Sequence, residues 1–133
     1  YFRQPFLQVI DNKKLYYYDR EGVRLPVLSN VDQDLLILSG DINGFFNRDI
    51  SIVNNIYEDE LLSELIGGIH YTGEYILSSR LCNLKINLGP KPLLNIDVVK
   101  RIELFLNLLQ KELGCDYCNS INLNYDNQII CVK

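Results

Sequence analysis

A chain of 133 residues is enough for one domain with a single well-buried core. Apolar residues make up 47% of it, which places it among globular rather than disordered proteins. The formal net charge is −4 and the 13 basic residues are scattered, which argues against a nucleic-acid or anionic-membrane surface, since both need clustered Lys and Arg. No apolar run approaches the roughly 18–20 residues of a membrane-spanning helix, and nothing reads as a signal peptide. The chain has no Met and opens in strand-like sequence, so it is expected to be a piece of a longer protein, which leaves room for a targeting segment outside it.

Phe6 to Tyr18 reads as a hairpin, Phe6–Ile10 and Lys14–Tyr18 flanking the turn formers Asp11-Asn12-Lys13. Pro5 cannot donate to a ladder and suits a strand entry. Asp19-Arg20-Glu21-Gly22 is a second turn, with Gly22 suited to positive φ. Val23 to Leu28 is extended, because Pro26 biases Leu25 away from the helical region. Asp34–Ser39 is a strand candidate closed by a loop over Gly40–Gly44. Asp49 is placed to N-cap a helix whose Ile52, Val53, Ile56 and Tyr57 share a face. The pattern continues through Leu61, Leu62, Leu65 and Ile66 to a stop at Gly67-Gly68, as one helix or as two with a break near Asp59.

Ile69–Tyr71 and Glu74–Leu77 form a second hairpin around Thr72-Gly73. Leu81 to Leu88 alternates as a strand, with Leu84, Ile86 and Leu88 on one face, and Gly89-Pro90-Lys91-Pro92 stops it. The clearest helix follows, capped by Asn95 or Asp97. Val98, Ile102, Phe105, Leu109 and Leu113 form its stripe, Leu106 widens it, and Gly114 ends it. Fully burying those five side chains contributes about 8–15 kcal/mol before entropy is subtracted. Ile121, Leu123 and Tyr125 then alternate with Asn122, Asn124 and Asp126 as a half-buried strand, which Ile129 to Val132 carry almost to the chain end. A strand that closes a domain often lies at a sheet edge, where its unpaired backbone is covered, blunted or used to dock a partner's strand. The element order predicts an α+β domain: a mostly antiparallel, curved β-sheet with two or three helices packed on it.

Motifs that carry chemistry are few. The four cysteines, Cys82, Cys115, Cys118 and Cys131, permit two disulfides, although small buried hydrophobes are the favoured reading. Cys115-Asp116-Tyr117-Cys118 has CxxC spacing, but zinc would need further ligands from the distant Cys82, Cys131 and the lone His70. A redox catalyst would place the first Cys at a helix N-terminus, and here the pair follows a C-terminus. No metal or cofactor is expected. His70 lacks a neighbouring nucleophile in sequence, so no triad is assembled. Glu58-Asp59-Glu60 lacks calcium-loop spacing and reads as a solvated charge cluster at a helix start. The nine tyrosines, Tyr16-Tyr17-Tyr18 above all, suggest a recognition surface, although half of a strand's tyrosines normally pack inward.

Three segments together resemble the extracytoplasmic β domain of the FtsQ/DivIB cell-division family. Tyr17-Tyr18-Asp19-Arg20-Glu21-Gly22-Val23-Arg24-Leu25-Pro26-Val27-Leu28 with Leu38-Ser39-Gly40 is similar to the family's opening motif. Leu84-Lys85-Ile86-Asn87-Leu88-Gly89 with the long helix after it is similar to the second. Ile121 to Gln128 is similar to the terminal strand, with Asn122 and Asn124 where the family has Asp and Arg. The version here looks most like the FtsQ proteins of Bacteroidetes-type bacteria. The resemblance implies a non-catalytic divisome scaffold without cofactors, in a protein anchored to the inner membrane by a single span and with this domain in the periplasm. It implies that residues 1–14 are the end of a POTRA-side segment and 15–133 the β domain. It also implies FtsB- and FtsL-like partners, bound by strand addition at Tyr125, Asn127, Gln128, Ile129, Ile130, Cys131 and Val132. Gln128 stands where many relatives have Gly. Two other readings are a cell-wall-associated hydrolase with a site around His70, Glu74 and Glu58-Asp59-Glu60, and a POTRA-like module of a secretion or outer-membrane assembly machine.

Overall fold

In the computed structural model, residues 4–26, 35–48, 50–91, 94–123 and 130–132 are described. They form one sheet of nine strands, in spatial order β3-β2-β1-β4-β5-β6-β7-β8-β9. The strands are β1 (Leu7–Asp11), β2 (Lys14–Tyr18), β3 (Arg24–Leu25), β4 (Ile37–Gly40), β5 (Ile66–Tyr71), β6 (Tyr75–Ser79), β7 (Lys85–Asn87), β8 (Ser120–Asn122) and β9 (Ile130–Val132). Neighbours pair antiparallel except β1 with β4, β4 with β5, and β7 with β8. Four helices join them: α1 (Ile42–Phe46), α2 (Ser51–Glu58), α3 (Glu60–Leu65) and α4 (Ile96–Leu108). The expected α+β class with a mostly antiparallel sheet is therefore what forms, with more helix than the sequence pattern predicts.

The first hairpin turns on Asn12 and Lys13, with φ of 50° and 65°. Positive φ at both central residues matches the twist of the flanking strands. The second turn is built by Asp19, whose buried carboxylate accepts from the backbone N–H groups of Glu21 and Val23 at 2.9 Å each. Gly22 closes it at φ 80°, and a Cβ there would meet Cγ of Phe46 at 3.0 Å. The Asp-x-x-Gly of the opening motif is thus an Asx turn under an aromatic ring. Gly40, at φ 94°, ends β4 so close to the Tyr71 carbonyl that no Cβ fits. That approach lets Asp41 N donate to Tyr71 O at 2.7 Å.

Several boundaries differ from the sequence reading. Gly40–Gly44 is not a loop: Asp41 Oδ1 accepts from Gly44 N and caps α1. The chain breaks at Asp59, whose carboxylate accepts from Leu61 N and Leu62 N and caps α3, so there are two helices. Asp49 lies outside the described residues, and α2 begins after Ile50 with no side-chain cap. Gly67-Gly68 does not end a helix but lies inside β5, at a bulge against β6. The Leu81–Leu88 strand shrinks to Lys85–Asn87, because Cys82 and Asn83 turn at φ 65° and 53°. α4 is capped by Asn95, whose Oδ1 accepts from Val98 N at 2.9 Å. Its last stretch, Leu109–Leu113, is a widened π turn closed by Gly114 N donating to Leu109 O. The extra residue per turn rotates Leu113 out of the stripe, leaving it 38% exposed, whereas Val98, Ile102, Phe105, Leu106 and Leu109 are buried.

All four helices cover one face of the sheet. Leu7, Val9, Leu38, Ile69, Leu77, Ile86 and Ile121 from the strands share one core with Phe45, Ile52, Ile56, Leu62 and Ile102. Phe45 touches Tyr71 and Tyr75 ring to ring within that core. Tyr57, half-buried on α2, donates from its hydroxyl to Phe6 O at 2.6 Å and accepts from Leu36 N at 3.0 Å. One side chain thus ties the entrances of the parallel neighbours β1 and β4. Burial pushes its pKa above the ordinary 10.0, opposed by the Leu36 hydrogen bond and the Arg80 charge.

Candidate partner-docking edge

The sheet ends at β9, which pairs antiparallel with β8 through Ser120↔Val132, Ile121↔Cys131 and Asn122↔Ile130. The closing segment is therefore not one continuous strand, because the chain has reversed direction by Ile130. Opposite residues of an antiparallel pair share a face. Cys131 thus sits on the core face with Ile121, while Ile130 and Val132 sit on the open face with Asn122 and Ser120. Ile130 is 38% and Val132 48% exposed. β9 has no strand on its outer side among the described residues. Of the residues expected to contact a partner, Ile130, Cys131 and Val132 are on this edge; Tyr125, Asn127, Gln128 and Ile129 lie outside the described residues.

Two disulfides fasten this end. Cys82–Cys115 joins the β6–β7 turn to the segment after α4, with Cα atoms 4.9 Å apart. Cys118–Cys131 joins the approach to β8 to β9 itself, with Cα atoms 5.8 Å apart. The favoured reading of these residues as simple buried hydrophobes is thus replaced by two cross-links. The CxxC pair does not close on itself: Cys115 reaches the β6–β7 turn and Cys118 reaches β9. Sequence alone does not give this pairing, because four cysteines allow three connectivities. Among the described residues no cluster of His, Cys, Asp and Glu is arranged to hold a metal.

The residues of the hydrolase reading are dispersed. His70 is exposed on the open face of β5, where the parallel pairing of β4 and β5 brings Ser39 Oγ within 2.8 Å of its Nδ1. Sequence distance hid that pair. Among the described residues no carboxylate hydrogen-bonds the imidazole, so a triad is not completed. Glu74 accepts from Asn87 Nδ2 in the β5–β6 turn. Glu58 and Asp59 line a separate groove of about 420 Å³ with Leu94, Ile96 and Lys100, on the helix side. A larger groove of about 650 Å³ on the open face is lined by Gln8, Ile10, Ile37, Gly68 and Arg80, with no carboxylate or histidine among the described residues that line it. Nothing in this arrangement supports a hydrolase. The tyrosine run divides as strand alternation requires: Tyr18 stacks on Phe46, Tyr16 lies under Arg24, and Tyr17 faces the open side.

The described end of the sheet is thus an edge strand tied by two disulfides, with no strand on its outer side among the described residues. The family described as "FtsQ/DivIB, C-terminal related" matches residues 4–132, so the chain belongs to that family. It is a periplasmic FtsQ-type domain of a non-catalytic scaffold family, with a role in cell division. Comparison with curated proteins gives no match. Among the described residues no helix is long and apolar enough to cross a membrane.

Proposed function

We propose that this domain is a divisome scaffold that captures the strand of an FtsB-like partner, with FtsL beside it, by backbone pairing to β9. The observation that carries this is that β9 ends the sheet, with its outer side unpaired among the described residues and apolar side chains exposed at Ile130 and Val132. An added strand satisfies the free N–H and C=O row, and side chains on alternate positions supply specificity. Apolar residues of the partner would lie beside Ile130 and Val132 on the open face. The Cys118–Cys131 bond leaves this edge free, because a strand's side chains stand perpendicular to its hydrogen-bonding direction. The cross-link holds β9 from the core face instead, which lowers the entropic cost of docking. In the longer protein, residues 1–14 carry the chain from a POTRA domain into the sheet through β1, and a single upstream span anchors it to the inner membrane. Tyr125, Asn127, Gln128 and Ile129 extend the contact from the segment before β9.

The test is binding of an FtsB-type peptide to the purified domain carrying Cys131→Pro or Cys131→Ala, each together with Cys118→Ser. Asn119 O and Leu123 N bond to β7, so Ser120 and Asn122 turn the other way to pair with Val132 and Ile130, and the N–H of Cys131 points to the outer edge. Proline there removes an outward donor, whereas alanine keeps it. The expected result is that proline weakens binding at least about tenfold more than alanine, the equivalent of one good hydrogen bond. Equal effects of the two changes reject backbone capture at β9. Deleting residues 127–133 together with Cys118→Ser should abolish binding in a domain that still melts cooperatively.

A further inference from the structure

Cys115 and Cys118 are each bonded outside the pair they form in sequence, to Cys82 and Cys131. Between them lies a single 3₁₀ turn, Cys115–Tyr117. Such a turn rises about 2 Å per residue, so positions three apart stack with Cα atoms roughly 6 Å apart, within the span a disulfide bridges. A third pairing, Cys115–Cys118, is therefore open to the same backbone. Exposure of the four cysteine residues is graded. Cys115 is exposed, Cys82 and Cys131 are half-buried, and Cys118 is 1% exposed. A reductant in solution meets the Cys82–Cys115 bond before the bond that holds β9.

We propose that the two disulfides form a thiol–disulfide relay that unfastens β9 when the domain meets an external dithiol; its consequence for docking rests on the reading of β9 as the docking strand. In the first step one dithiol thiolate attacks the Cys82–Cys115 bond and its second thiol resolves the mixed disulfide. The dithiol leaves oxidised, and Cys82 and Cys115 are left as thiols. In the second step Cys115, as thiolate, attacks Sγ of Cys118. The Cys115–Cys118 bond forms, the Cys118–Cys131 bond breaks, and Cys131 leaves as a thiolate that takes up the proton Cys115 released. The net change is two electrons and two protons from the dithiol and one disulfide fewer in the domain. β9, three residues long, then has no covalent hold and relies on pairing with β8, itself three residues long, on Asn119 N donating to Val132 O and on the packing of Cys131. Strand pairs of that length are marginal without further support.

The relay is tested by limited dithiothreitol titration of the oxidised domain, alkylation of free thiols, and peptide mapping. Alkylation of Cys82 and Cys131 together, with Cys115 joined to Cys118, is the expected intermediate. Alkylated Cys82 and Cys115 with Cys118–Cys131 intact overturns the relay, as does alkylation of Cys118 and Cys131 first. The double variant Cys82→Ser with Cys115→Ser keeps Cys118–Cys131 but lacks the relay thiol. At the same dithiol concentration its Cys131 should be alkylated on the order of tenfold more slowly than in the parent. Equal rates overturn the proposal, and far-UV circular dichroism of the variant guards against unfolding as the cause. Neither readout involves a partner. Peptide affinity of the relayed form is measured separately: a loss supports control of docking, and unchanged affinity overturns that control. The Cys131→Pro result decides independently whether β9 docks anything.

Discussion

The middle and the end of this sheet are held by different forces. In the middle, β4, β5 and β6 bring Leu38, Ile69 and Leu77 under the helix layer with at most 1% of their surface exposed. At the end, β9 buries little: Ile130 and Val132 are exposed and Cys131 is only half-buried. The middle is stabilised by apolar area removed from water, and the end by covalent cross-links. The contrast is what the proposed docking role of β9 requires. A docking edge has to leave its backbone and some apolar surface exposed, and that removes the burial that would otherwise hold it. The disulfides fix the strand without covering it.

The largest effect expected is in the middle. Leu77→Ala should cost about 2–5 kcal/mol in denaturant titration, the transfer term plus the cavity it leaves. Peptide binding per folded molecule should be unchanged. A variant that loses binding while still folded would show that the two regions are coupled rather than separately stabilised.

Removing the Cys118–Cys131 bond by paired Cys→Ser changes has an upper bound of about 3 kcal/mol, from closing a loop of this length in the unfolded chain. Most of that effect should be local. Amide exchange at Ile130–Val132 should quicken strongly, while Ile69 and Leu77 keep their protection. Equal loss of protection in both regions breaks the comparison.

Tyr57→Phe probes the other way the middle is tied, a polar clamp rather than area. It leaves Leu36 N without its acceptor and should cost about 1–3 kcal/mol at neutral pH. The phenol also sets an alkaline limit. Its folded pKa is raised above 10.0, so the folded state keeps its proton where the unfolded chain loses it. That contribution is fully present below pH 10 and is lost as pH rises through the folded pKa. The parent should lose stability from about pH 10 upward, and Tyr57→Phe should show a flatter alkaline limb. A variant with the parent's slope would assign the loss to other groups.

The same division explains what was legible in the sequence. Turn formers found the hairpins of β1 with β2 and of β5 with β6, and periodicity of three to four found α4, because that helix buries one face and the pattern records it. Periodicity failed where a backbone device interrupts the pattern. Asp41 starts a helix in a stretch rich in loop formers, the positive φ of Cys82 and Asn83 shortens a strand, and a π turn carries Leu113 out of its stripe. The candidate docking edge was half legible. Alternation identified a terminal strand, but its reversal and the pairing of Cys118 with Cys131 depend on partners far apart in sequence. The Ser39–His70 contact was hidden for the same reason, since parallel pairing joins residues that no local spacing connects.

The smallest effect is the most discriminating when the same substitution is made in both regions. Val9 is fully buried on β1 and Val132 is 48% exposed on β9. Replacing valine by threonine keeps the shape and the β-branch but exchanges a methyl for a hydroxyl. At Val9 the hydroxyl enters an apolar core, and about 1–3 kcal/mol of stability should be lost. At Val132 it meets water, and melting should move by less than about 0.5 kcal/mol. Peptide affinity should respond in the opposite order: unchanged for Val9→Thr, and reduced for Val132→Thr because apolar area at the proposed docking strand is lost. If Val132→Thr leaves affinity untouched, the open-face side chains of β9 are bystanders and recognition rests on the backbone row alone. If it lowers stability as much as Val9→Thr does, β9 is part of the core, and the contrast between the two regions fails.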